Sequence, residues 1–205
     1  MNLSIQADFT QLTKNLNRAQ RQQVPFAIAE TLNALAADVA NAITVQMDQR
    51  LEKPTPFTKK AFLGPKGFNG KKAKKTNFEA IVESKEIQAE YLKFQIAGGT
   101  RLPNQKSILV PTRFATKNQY GNWPRPNRKR AIEGKGDFFT AGSREGKTPG
   151  IYKQVGNRLQ PFAIYVDQAD YKARLPIDKI ANGVVANRLQ KQFSKALQRA
   201  MATAK

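Results

Sequence analysis

One stretch constrains the fold more than any other. Between residues 25 and 51, Ile28, Leu32, Leu35, Val39, Ile43, Met47 and Leu51 recur at steps of three and four. That spacing is the apolar stripe of a helix. Pro25 suits the first turn, where its missing N–H costs nothing. Some 26 residues at 1.5 Å each give a rod of roughly 40 Å. A rod that long outreaches a small sheet. Two readings stand level: an ordinary core helix, or a helix that gives Leu32, Leu35, Val39 and Ile43 to a second copy of the chain.

Two further helices flank it. Phe9, Leu12, Leu16 and Ala19 mark a short one over 8–22, with Asp8 as its N-cap. Ile180, Val184, Val185, Leu189, Phe193, Leu197 and Met201 mark another over 178–202. Arg188, Lys191, Lys195 and Arg199 lie off that last stripe, and positive charge there suits the C-terminal end of the helix dipole.

Between these helices the pattern turns to strands. Residues 78–82, 91–96, 107–110, 137–140, 150–155 and 161–166 carry it, and Gly156-Asn157 reads as a hairpin turn. Tyr91 to Ile96 alternates most cleanly. Pro111 closes the third run. Helices, then strands, then a helix predict an α+β fold. The long N-terminal helix and the C-terminal helix are expected to pack on a small antiparallel sheet. Residues 1–205 read as a single domain with extended basic loops at 53–75 and 113–135.

The charge is lopsided: 35 Lys and Arg against 15 Asp and Glu give +20. Such a chain is drawn to polyanions. Residues 53–75 hold eight Lys and no acid, broken by Pro54, Pro56, Gly64, Pro65, Gly67 and Gly70. Residues 101–135 hold nine Lys and Arg against Glu133 alone. Concentration in two segments favours a binding surface over general solubility. The candidate contacts to DNA or an acidic partner are Lys59, Lys60, Lys66, Lys71, Lys72, Lys74 and Lys75 in the first. In the second they are Arg125, Arg128, Lys129 and Arg130. Phe57, Phe62 and Phe68 interleave the first set and suggest a segment that docks. Phe114, Tyr120 and Trp123 beside Arg113 and Arg125 fit either a base-stacking platform or loop anchors, and anchoring is favoured.

Chemistry has few footholds. The chain has no Cys and no His, so disulfides, thiolates and imidazoles are excluded. Residues 141–148 match a loose phosphate-loop pattern, but Pro149-Gly150 follows where a helix must start, so a basic turn is expected. Glu79, Glu83, Glu86, Glu90, Asp137, Asp167 and Asp170 form no metal-ligand spacing. No catalytic residue, metal or cofactor is expected. Residues 1–11 hold no apolar run of the signal-peptide kind, and no run reaches the ~18 residues of a membrane span.

A layout emerges from these parts. An Ala-rich helix opens with Val24-Pro25-Phe26-Ala27, and a Lys/Arg-rich middle and a short sheet follow. Tyr171-Lys172-Ala173-Arg174-Leu175-Pro176-Ile177 then leads into an amphipathic C-terminal helix. Over roughly residues 20–205 this resembles the minor tail protein Z family of tailed bacteriophages, and more loosely the tail-completion proteins of phage necks, which the Tyr120-Gly121-Asn122 loop also matches. The resemblance implies a structural virion protein, assembled in the host cytoplasm, that completes the tail at the head–tail junction. It implies a homo-oligomeric ring, six copies being the expected number, against other neck and tail proteins, with double-stranded DNA in its channel. A free, non-specific nucleic-acid-binding protein is the alternative.

Overall fold

The computed structural model describes residues 1–5, 7–14, 16–65, 71–104, 106–142 and 148–203. The chain is α+β, and it divides into two compact units. Unit 1 comprises residues 1–97 and 174–205, and unit 2 comprises residues 98–173. Unit 2 is therefore inserted in the sequence of unit 1.

Unit 1 is built on one helix, α2 (Arg18–Arg50). It starts earlier than Pro25 because Asn17 and Gln20 form a reciprocal capping box. The helix then runs through Pro25. The two helices expected over 8–22 and 25–51 are thus corrected: α1 (Thr10–Thr13) is a single turn, and the rest belongs to α2. An interior proline costs about 3 kcal/mol of helix propensity. Burial offsets that cost, since Ala27, Leu32, Leu35, Ala36, Val39, Ile43 and Met47 are all in the interior. Asp8 precedes α1 and accepts from the Thr10 N–H at 2.8 Å, an Asx turn that leaves Phe9 at the cap position.

A three-stranded antiparallel sheet packs on α2, in the order β1 (Asn2–Ile5), β3 (Ala80–Ser84), β2 (Phe62–Leu63). α6 (Ile177–Ala202) lies antiparallel along α2. Asp38 of α2 meets Arg188 at 2.9 Å and Gln192 at 2.8 Å of α6, and Glu30 meets Arg199 at 2.9 Å. Off-stripe cations of α6 are thus partly spoken for by α2, beyond any dipole effect. Ala27, Phe193 and Ala196 fill the apolar seam, with Phe9 against Phe193 at 5.4 Å. Leu175 and Ile177, from the Leu-Pro-Ile element ahead of α6, are both buried. The backbone N–H groups of Arg174 and Leu175 both donate to the Gln95 carbonyl.

The cleanest strand pattern is a helix. Residues 91–96 lie in α4 (Glu86–Ala97). Gln88 and Leu92 are buried four apart, and Ile96 packs on the same core. That four-residue period outweighs the two-residue alternation of Tyr91 to Ile96. Gln88 is satisfied, since its amide donates to the Phe57 carbonyl.

Unit 2 carries a four-stranded antiparallel sheet in the order β5 (Ile108–Pro111), β8 (Arg158–Val166), β7 (Gly150–Val155), β6 (Phe138–Ala141). The β7–β8 hairpin turns at Gly156-Asn157, with Gly156 at φ +56°. α5 (Arg125–Ile132) packs by Ala131 onto a small core of Ala115, Ile151, Phe162 and Ala163. A two-stranded ribbon, β4 (Gly99–Arg101) with β9 (Ala169–Tyr171), pairs the two ends of the unit.

Candidate nucleic-acid interface

The first basic segment is anchored to α2. The stretch 53–75, expected as one long loop, holds α3 (Pro56–Lys59) and β2. Beyond Pro65 its residues 66–70, with Lys66 and Phe68, lie outside the described residues. Ala73 is buried at 5% exposure, and Asn33 of α2 brackets its peptide. The Asn33 amide donates to the Ala73 carbonyl at 3.1 Å, and the Ala73 N–H donates to Asn33 at 2.9 Å. Lys74 and Asn77 then close a tight antiparallel bridge, and the Lys71 carbonyl accepts from Ile81 of β3. With the backbone pinned at both ends, Lys71, Lys72, Lys74 and Lys75 are all exposed. Lys75 sits over the Phe26 ring at 5.6 Å.

Lys59 and Lys60 do not join that array on equal terms. Lys59 pairs with Asp48 at 2.6 Å, which ties α3 to the end of α2. Lys60 is exposed.

The second basic segment is a helix where a loop was expected. Arg125, Arg128, Lys129 and Arg130 ride on α5, all exposed, around the buried Ala131. Lys129 and Lys135 share Glu133, at 3.8 Å and 2.8 Å. The loop ahead of α5 is organised by Asn118, whose side chain accepts from the N–H groups of Tyr120 and Asn122. Trp123 is an anchor: it packs on Phe162 at 5.5 Å within the unit 2 core. Phe114 is the exposed ring, 39% open, with the Arg113 guanidinium at 4.8 Å.

The expected subunit contact is corrected. Leu32, Leu35, Val39 and Ile43 are 1%, 0%, 0% and 0% exposed within a single chain. β3, α6 and the rest of unit 1 already cover them, so they have no surface to give a neighbour. The periodicity located the buried stripe and left its partner unspecified.

The carboxylates disperse. Glu79 accepts from Ser4, Asp170 from Thr100, and no group of three or more Asp and Glu is placed to hold a metal among the described residues. Of the phosphate-loop-like segment 141–148, residues 143–147 lie outside the described residues. No described helix is long and apolar enough to cross a membrane. Sequence reasoning missed Asn33, Asn118 and, in unit 2, Lys106, Ser107 and Tyr165. The last three line a groove with Arg128 and were passed over because they are scattered over 60 residues. No protein-family model matches the chain, and no curated protein or solved structure matches it.

Proposed function

We propose that this chain is a non-enzymatic structural protein of a tailed-phage virion, completing the tail at the head–tail junction, with its basic surfaces turned to double-stranded DNA. The observation that carries the DNA part is the pinned array Lys71, Lys72, Lys74 and Lys75. With the backbone at Ala73 already fixed by Asn33, the four lysines have only side-chain entropy to lose on meeting phosphates. Arg125, Arg128 and Arg130 on α5 supply a second cationic surface. The virion part, and with it the ring of copies, rests on the resemblance of the sequence layout to the minor tail protein Z family and, more loosely, to tail-completion proteins. The ring's interface lies on other surfaces than the buried stripe of α2.

Duplex binding by the purified chain, followed across salt concentration, tests the DNA part. Each phosphate contact contributes about −0.9 to the slope of log K against log salt. Replacing the four lysines with Gln is expected to flatten the slope by several units and weaken binding alike for all sequences. A slope and affinity unchanged in that variant would refute the assignment. Immunogold microscopy of particles tests the rest, with label expected at the neck. Label confined to infected-cell lysate, with duplex binding intact, selects the second reading of a free nucleic-acid-binding protein, which the cationic arrays would serve equally well.

A further inference from the structure

Unit 2 holds a groove of about 730 Å³ between α5 and the β5–β8 pair, lined by Lys106, Ser107, Leu109, Arg128, Ile132 and Tyr165. Leu109 and Tyr165 are direct cross-strand partners, so their side chains stand on one face of the sheet. Both pack on the unit 2 core, which fixes the floor. Ile132 of α5 adds a half-exposed apolar wall. Neither Lys106 nor Arg128 has an ion-pair partner among the described residues. The groove therefore offers two uncommitted cations over an aromatic and aliphatic floor.

We infer that this groove binds a single-stranded segment of DNA, one base lying on the Leu109–Tyr165 floor against Ile132, its flanking phosphates on Lys106 and Arg128. The cations favour an anion, and the floor favours a flat apolar body attached to it. A nucleic-acid strand supplies both at every residue. A duplex does not, because stacking closes its base faces and leaves phosphates, sugars and base edges, none of which lays a flat ring on the floor. An acidic peptide would satisfy the cations and leave the floor wet. The volume falls within the range of sites that hold a small ligand, which suits one nucleotide unit. This inference rests on the reading that the basic surfaces meet nucleic acid, and it separates two tasks: the lysines at 71–75, with Arg125 and Arg130 of α5, hold duplex, and the groove with Arg128 holds an unpaired strand.

Fluorescence anisotropy on the full chain tests it, with a short labelled oligothymidylate, a duplex of the same length and oligoglutamate as probes. Lys106→Gln with Arg128→Gln, both exposed positions, is expected to weaken oligothymidylate binding by at least about tenfold. Tyr165→Leu is expected to weaken it by roughly tenfold, the scale of one lost stacking contact, and Tyr165→Phe to retain it. Duplex affinity should stay within about twofold in Tyr165→Leu, since no phosphate contact is removed. Oligothymidylate binding that ignores both the double variant and Tyr165→Leu would overturn the inference. So would oligoglutamate binding as tightly, with the same dependence on Tyr165. If duplex binding still depends on Lys71, Lys72, Lys74 and Lys75 in those cases, the proposed function survives. If neither nucleic acid binds, this inference and the DNA part of the proposed function both fall.

Discussion

Asn33 is the residue on which the lysine array depends. It makes two hydrogen bonds to a peptide 40 positions away, at a residue nearly closed to water. Asn33→Ala leaves the Ala73 N–H and carbonyl without these partners. The expected cost is about 1–3 kcal/mol, read as a lower urea midpoint. Duplex affinity should fall with it, since the lysines then order only on binding; unchanged affinity would show that the pinning is irrelevant to the array. Asp8 offers a second test. Hydrogen bonds from the Thr10 side chain and N–H hold its carboxyl below the ordinary value of 3.8. A carboxyl whose folded pKa is depressed stabilises the fold above its unfolded pKa and loses that contribution as pH falls through the folded one. The Asx turn ahead of α1 is thus expected to persist at neutral pH and weaken only in acid below that ordinary value. An NMR titration of Asp8 with a midpoint at or above it would contradict this. Neither role was legible in the sequence. A lone Asn on a helix face says nothing about a peptide 40 residues on, and Asp8 read as a helix cap because the real start, Asn17-Arg18-Ala19-Gln20, has no apolar run directly behind it.

The α2–α6 pair shows which part of an element carries its stability. Phe193 is buried against Ala27 and Phe9, whereas Arg199, paired with Glu30, keeps 59% of its side chain in water. Phe193→Ala is expected to cost about 3–5 kcal/mol. Arg199→Ala should cost less than about 1 kcal/mol, because an exposed ion pair is screened by solvent. Urea unfolding of the two variants checks the order, and a larger loss from Arg199 would mean that charge holds the helices together. The long helices were readable for the same reason: their buried residues recur at one period over many turns. α4 was not. Tyr91, Leu92, Lys93, Phe94, Gln95 and Ile96 alternate as a strand does, and only burial of Gln88 and Leu92 on one face decides for the helix. A buried Gln is the kind of residue a pattern search scores as polar.

At the scale of the molecule, the main core is complete without residues 98–173. All of its buried members, from Ile5 to Ala181, belong to unit 1. The chain leaves that core after Ala97 and returns at Arg174, whose N–H lies 2.7 Å from the Gln95 carbonyl. The two cut ends are therefore neighbours, and a short Gly-Ser link closes them at little entropic cost. Residues 1–97 joined in this way to 174–205 are expected to unfold cooperatively and to show a strongly helical circular dichroism spectrum. The insertion went unread because the only breaker at its boundaries, Gly98-Gly99, reads equally as the end of a strand and the return at Ala173-Arg174 has none, whereas the α+β class followed from element order alone. The shortened chain also divides the two binding tasks. It keeps Lys71, Lys72, Lys74 and Lys75 with Asn33, so salt-sensitive duplex binding should remain, with a shallower salt slope because the α5 arginines are gone. It lacks Lys106, Arg128 and Tyr165, so the single-strand component should go. A shortened chain that is molten, without a cooperative transition, would mean that residues 1–205 act as one folding domain. One that folds yet loses duplex binding would move the duplex surface from the pinned lysines to the helix α5 of unit 2.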